Sequence, residues 1–215
     1  MMNRVAFVLR VKPGKKEAFY RAGEAVWPEA QTALDSVGMK NFSVWSICDF
    51  MFCYGETPDG VEAAKIRAAV DGVAAKLADT CTVLAEPGTM RLMYHDYGIV
   101  REDKSLIRHR VFATHLKPGC ADEYKARHDK LVEARGDTVS EGPESNFTIW
   151  CADSEYNFGY CELVKAFDHE MTEAEKQSTI AWETRQLEIM DWYTDDVDWI
   201  TGEKHDHVQL VCQYK

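Results

Sequence analysis

The chain has 215 residues, 46% of them hydrophobic and 28% charged, with a formal net charge of -11. This is the composition of one large or two small globular domains and excludes a disordered chain. The acidic balance, with no run of Lys and Arg, also excludes a nucleic-acid partner, which needs a basic face to displace counterions.

No segment approaches the roughly 20 apolar residues of a membrane span. The opening MMNRVAFVLRVKPGKKEAF has too few apolar residues ahead of its Lys cluster to act as a signal peptide. Seven cysteines, at 48, 53, 81, 120, 151, 161 and 212, are odd in number and contain no CxxC pair, which reads as reduced thiols. The expectation is a cytoplasmic protein with neither membrane nor nucleic acid as partner.

In chain order, Arg4 to Val11 is a β-type run ended by the turn Lys12-Pro13-Gly14. An amphipathic helix from Lys15 to Val37 comes next. Two strands, Phe42 to Ile47 and Phe50 to Gly55, then form a hairpin about Asp49. A second helix from Val61 to Cys81 and a closing strand from Met90 to His95 complete the plan. After the polar stretch Arg101 to Ser105 the plan begins again with the strand Arg110 to Leu116, the turn Lys117-Pro118-Gly119 and a helix from Ala121 to about Val139. The strands Phe147 to Cys151 and Tyr156 to Leu163 turn at Asp153-Ser154-Glu155. A helix from Glu173 to Tyr193 and a strand from Val208 to Cys212 end the copy.

The two passes are one repeat. An offset of 105 residues carries Lys12-Pro13-Gly14 onto Lys117-Pro118-Gly119, Phe7 onto Phe112, Asn41-Phe42 onto Asn146-Phe147 and Trp45 onto Trp150. One inserted residue later, Phe52-x-Tyr54-x-Glu56 lines up with Phe158-x-Tyr160-x-Glu162. The expected fold class is α+β, with two tandem ferredoxin-like βαββαβ units, 1–103 and 104–215, pairing their bare sheet faces in a pseudo-dimeric α/β barrel.

The chemistry points to the second copy. Tyr124 and His128 stand four apart on its first helix and so share a face. An imidazole moves protons near neutral pH, and a phenol beside it donates a hydrogen bond or carries the second proton. Packing also produces aromatic pairs at this spacing. Trp45 and Trp150 recur in both copies and read as structural. His205-Asp206-His207 offers two imidazoles without a third ligand at a recognisable spacing, so no metal site is expected.

The segment Asp122-Glu123-Tyr124 followed by His128 resembles the L-rhamnose mutarotase pattern, in which a Tyr and a His four residues on face the sugar and a Trp-Pro-Glu follows on the same helix. The Trp-Pro-Glu stands only in the first copy, as Trp27-Pro28-Glu29. That copy has Phe19 in place of Tyr124 and Gly23 in place of His128, while the second has Val132 and Glu133 for Trp27 and Pro28. The resemblance implies a single competent half, with His128 as the main proton carrier and Tyr124 as its partner. It implies Trp192 rather than Trp182 as a stacking wall, and a monosaccharide substrate interconverted between anomers through the open aldehyde. The repeated Glu56 and Glu162 read either as hydrogen-bonded structural carboxylates or, for Glu162, as a hydroxyl ligand in the site. No cofactor is implied. A non-catalytic sugar-binding or regulatory protein, and the small oxygenases and haem-handling proteins that share this fold, stay open as alternatives. A tandem chain of this kind is expected to be a monomeric pseudo-dimer, or a homodimer.

Overall fold

The computed structural model describes residues 2–142, 144–165, 172–195 and 208–214. Ten strands and four α-helices follow one another as β1 (Met2–Val11), α1 (Lys16–Ser36), β2 (Lys40–Ile47), β3 (Phe50–Pro58), α2 (Ala63–Lys76), β4 (Cys81–Ala85), β5 (Arg91–Asp96), β6 (Ile107–Leu116), α3 (Ala121–Arg135), β7 (Glu144–Ala152), β8 (Tyr156–Val164), α4 (Glu173–Gln186), β9 (Met190–Asp195) and β10 (Val208–Tyr214). A 3-10 turn, Lys104–Leu106, precedes β6. The strands form two five-stranded sheets, ordered β10-β2-β3-β1-β4 and β5-β7-β8-β6-β9. The molecule is α+β and doubled, as its repeat implies. The chain divides into two compact units, Met1–Met90 with Gln209–Lys215, and Arg91–Val208.

Within each copy the order β2-β3-β1-β4, matched by β7-β8-β6-β9, is the ferredoxin-like arrangement. The fifth strand of each sheet comes from the other copy. β5, at the end of the first copy, pairs antiparallel with β7, and β10, at the end of the second, lies beside β2. The strands that close each βαββαβ pattern are therefore β4, which begins where the second helix of the first copy was expected to end, and β9, most of which was expected to be helical. α2 stops at Lys76 rather than Cys81, and α4 at Gln186 rather than Tyr193. Both helices end in a short turn that lets β-branched and aromatic residues (Thr82-Val83 and Trp192-Tyr193) run out along the edge of β1 or β6. Trp192 thus belongs to a strand.

The repeated Lys-Pro-Gly turns have a shared physical role. Gly14 and Gly119 sit at φ 71° and 79°, which a side chain would resist. The preceding lysines then reach the carbonyls that the second helices leave unpaired at their C-terminal ends: Lys12 Nζ donates to Ala78 O at 2.6 Å, Lys117 Nζ to Leu187 O at 2.7 Å. Backbone bonds from Lys12 N to Thr80 O and Lys117 N to Ile189 O repeat the same junction. The hairpins turn where expected, with Cys48, Asp153 and Ser154 at positive φ. Asn41 and Asn146 are also left-handed, at φ 47° and 52°, each at a register shift of its strand.

Apolar cores lie between helices and sheet in each unit. In the first, Phe7, Leu34, Phe42, Cys53 and Ile66 form one cluster and Leu9, Phe19, Met51 and Leu77 another. In the second, Phe112, Leu116, Tyr124, Ile149 and Met190 pack together, with Tyr94 and Trp192 against them. No helix among the described residues is long and apolar enough to cross a membrane.

Candidate active site

Between α3, α4 and the sheet of the second unit lies a cavity of about 370 Å³, within the range of small-molecule sites. The i, i+4 spacing on α3 brings Tyr124 and His128 to its wall together. Their rings stack at a centroid distance of 4.2 Å, and both are buried, 2% and 5% exposed. His128 Nδ1 lies 2.9 Å from the Tyr124 carbonyl, which can only accept, so the proton of the neutral imidazole sits on Nδ1. The Nε2 lone pair is left to act on a ligand. Burial, the largest cause, lowers the His128 pKa to about 4, against the opposing pull of the bond to Tyr124 O. Burial also raises the Tyr124 phenol above its ordinary value. At neutral pH the pair is an unprotonated base beside a protonated acid.

Aromatic residues surround this pair. Tyr94 and Trp182 each meet the His128 ring edge-on at 5.3 Å, and Trp192 packs on Phe112 at 5.5 Å. Both tryptophans line the cavity, so the structure brings Trp182 to the site beside Trp192. Tyr94 arrives on β5 from the first copy, held by Arg135 of α3, which donates to His95 O at 3.1 Å and pairs with Asp96 at 3.0 Å. Burial pushes Tyr94 up to about 12.

The polar lining is equally informative. Thr114 Oγ1 and both side-chain atoms of Gln186 are buried in or beside the cavity without a hydrogen-bond partner among the described residues. Buried polar groups of this kind are costly unless something satisfies them. A hydroxylated ligand would. Arg110, 4.5 Å over the Phe112 ring, and Glu144, whose pKa burial raises, complete the polar side. The sequence reading missed Thr114, Gln186, Tyr94, Arg110 and Glu144. The one signal present was a strand pattern that put Thr114 on the same face as Phe112.

Glu162 lies elsewhere. Its fully buried carboxylate accepts from Lys104 Nζ at 2.9 Å, Asn146 Nδ2 at 3.1 Å and Tyr160 Oη at 2.9 Å, and it does not line the cavity. Glu56 repeats the arrangement with Asn41 and Tyr54 at 3.0 and 3.1 Å. Presence in both copies, including the one without a His, makes this a framework device that ties a left-handed Asn to the neighbouring strand. Among the described residues, neither Trp45 nor Trp150 lines this cavity. The His205-Asp206-His207 group lies outside the described residues, among which no cluster of metal-binding side chains occurs.

The L-rhamnose mutarotase family model matches residues 4–82 and 109–211, falling in both copies. An L-rhamnose mutarotase of Listeria monocytogenes serotype 4b is 35% identical over 60 residues, covering 27% of this chain and 58% of the relative. Another, of Burkholderia ambifaria, is 34% identical over 44 residues, covering 20% and 42%. The chain thus spans about half the length of the curated relatives it matches. Among solved structures, a putative monooxygenase of Fusobacterium nucleatum aligns over 98% of this chain and 94% of its own, with a TM-score of 0.52 and 11% identity, a likeness of fold. With its model matched across most of both copies, and with Tyr124 and His128 together at a cavity wall, the chain belongs to the L-rhamnose mutarotase family.

Proposed function

We propose that the second unit is a sugar mutarotase acting on L-rhamnose or a related deoxy-sugar. The observation that carries the reading is the composition of its cavity: an unprotonated His128 and a protonated Tyr124 on one wall, aromatic faces from Trp182 and Trp192, and unsatisfied polar groups on Thr114 and Gln186. The apolar face of a pyranose stacks on an aromatic ring, while its hydroxyls need partners for each buried donor and acceptor.

In the reaction, His128 Nε2 takes the proton of the anomeric hydroxyl as the bond from the anomeric carbon to the ring oxygen breaks. Tyr124 donates its proton to that oxygen. Rotation about the adjacent carbon–carbon bond presents the other face of the aldehyde, and closure runs the same transfers in reverse. Positioned acid–base groups supply on the order of 10² to 10⁴ in rate. Because the buried His128 is a weak base and Tyr124 a weak acid, the two transfers are concerted, and the imidazolium and phenolate they create persist as a pair only while the sugar is open, until closure returns both protons. The first copy, with Phe19 and Gly23 at these positions, has neither group.

Saturation-difference proton NMR on L-rhamnose, then L-fucose and other aldoses, tests this. Enzyme-dependent transfer between anomeric signals is expected, with a loss of about 10²-fold or more in His128→Ala. Sugar binding without accelerated exchange would replace the enzyme with a binding protein.

A further inference from the structure

The first unit keeps the cavity and has lost its polarity. A space of about 360 Å³ lies between its helices and sheet, nearly the volume found in the second unit. The 105-residue offset and the shared Lys12–Thr80 and Lys117–Ile189 junctions set the equivalent positions. Where the second unit has Arg110, Thr114, Tyr124 and His128, the first has Val5, Leu9, Phe19 and Gly23. Where α4 presents Trp182, Glu183 and Gln186, α2 and its C-terminal cap present Val73, Ala74 and Leu77. Each polar group has become apolar.

The space has stayed open. Gly23 has no heavy atom within 4 Å of where its Cβ would stand, so the loss of the imidazole was not filled by a neighbour. Aromatic rings line the floor: Phe7 and Trp27 both stack on Phe42, at 6.1 and 6.4 Å, and Phe19 meets Tyr20 edge-on at 6.2 Å. The Tyr20 hydroxyl is already engaged with Ser46 Oγ at 3.1 Å. No residue of this lining has an unpartnered buried polar atom among the described residues, so the interior lacks the buried polar groups that Thr114 and Gln186 offer in the second unit. Val83 and Leu210, nearly half exposed, extend the apolar surface to the mouth.

Charge selects the rest. Glu24 and Asp71 line the cavity, exposed and outside the ion pairs of the described residues, and Glu86 is held by Arg67 at 3.0 Å. Among the described residues no Lys, Arg or His lines it. A carboxylate ligand would meet repulsion, whereas an ammonium would meet two carboxylates and several aromatic faces.

We propose that the first unit is a separate binding site for a compact aromatic amine, with the ring body between Phe19, Phe42 and Trp27 and the ammonium towards Glu24 and Asp71. The site does not depend on the exchange reaction of the second unit. Calorimetric titration of the full chain with naphthylethylamine, naphthylethanol and naphthylacetate tests it. One-to-one binding is expected, with the amine tighter than the alcohol by about two- to fivefold, as for partly exposed ion pairs, and the carboxylate weakest. Gly23→Phe, which fills the open space, and Val73→Trp, which restores the side chain of the other unit, should each abolish binding and leave anomer exchange unchanged. Glu24→Gln with Asp71→Asn should keep binding and bring amine and alcohol level. Failure of all three probes to bind, a preference for the carboxylate, or undiminished binding to both filled variants would overturn the proposal.

Discussion

His128 is where burial has the most visible effects. Its pKa is lowered to about 4, so the base stays unprotonated well below the usual imidazole range. Anomer exchange should therefore hold level as pH falls through 6.5 and drop only towards 4, a profile that NMR exchange rates measure directly. The same depression acts on stability. Above 6.5 neither folded nor unfolded chain carries the proton; as pH falls from 6.5 towards 4 the unfolded chain takes it first, and stability is lost by at most about 3 kcal/mol. Denaturation of the native chain and of His128→Asn, at about pH 7 and about pH 5, should show a smaller acid loss in the variant. Gln186 makes a complementary case. Replacing it with Leu, the residue at the equivalent place in the first unit, removes a buried amide without a partner, and should stabilise the protein by about 1 kcal/mol while raising KM about tenfold. Thermal melts and substrate saturation curves check both halves of that trade. That Tyr124 and His128 share one helix face was legible from their spacing, whereas a chemical role for them came from the resemblance, since packing produces the same pairs. Gln186 was not legible, since a Gln in the last turn of a polar helix reads as surface until the cavity is seen.

At the scale of elements, the repeat made the turns, the hairpins and four of the strands in each half readable, because Lys-Pro-Gly and the alternating runs carry local physics. β4 and β9 were hidden. Each follows its helix after only a few residues, and runs such as Leu77 to Ala85 do not break their apolar pattern where the helix stops. Locating Trp192 depended on that boundary. β8 shows how one residue on a strand shapes the site: a Cβ on Gly159 would come within 2.2 Å of the Phe112 ring, which lies over it at the cavity floor. Gly159→Ala must push that ring towards the cavity. The expected result is a loss of about 1–3 kcal/mol in stability with a marked fall in exchange rate, read from chemical denaturation and NMR.

Across the whole molecule, the exchange of terminal strands was beyond any sequence pattern. Alternation in Met90 to His95 announces a strand and is silent about which sheet receives it. Register settles it, with Leu92 opposite Trp150 and Asp96 opposite Phe147. Removing 208–214 should therefore damage the opposite half from the one in which the segment is encoded. Hydrogen exchange should speed up along β2, which loses its neighbour, and in the last turn of α1, which loses the Tyr214–Asp35 bond, while anomer exchange by the second unit persists. The same feature sets a schedule for synthesis. A ribosome adding about 5–20 residues per second needs on the order of ten seconds or more to travel from β2 to β10. Throughout that interval the nascent first sheet carries an uncovered edge, the surface on which neighbouring chains add strands and aggregate. Slow translation or crowded polysomes would lengthen the exposure. Demand for a holding chaperone should therefore track elongation rate, even for a sequence whose finished fold leaves that edge covered.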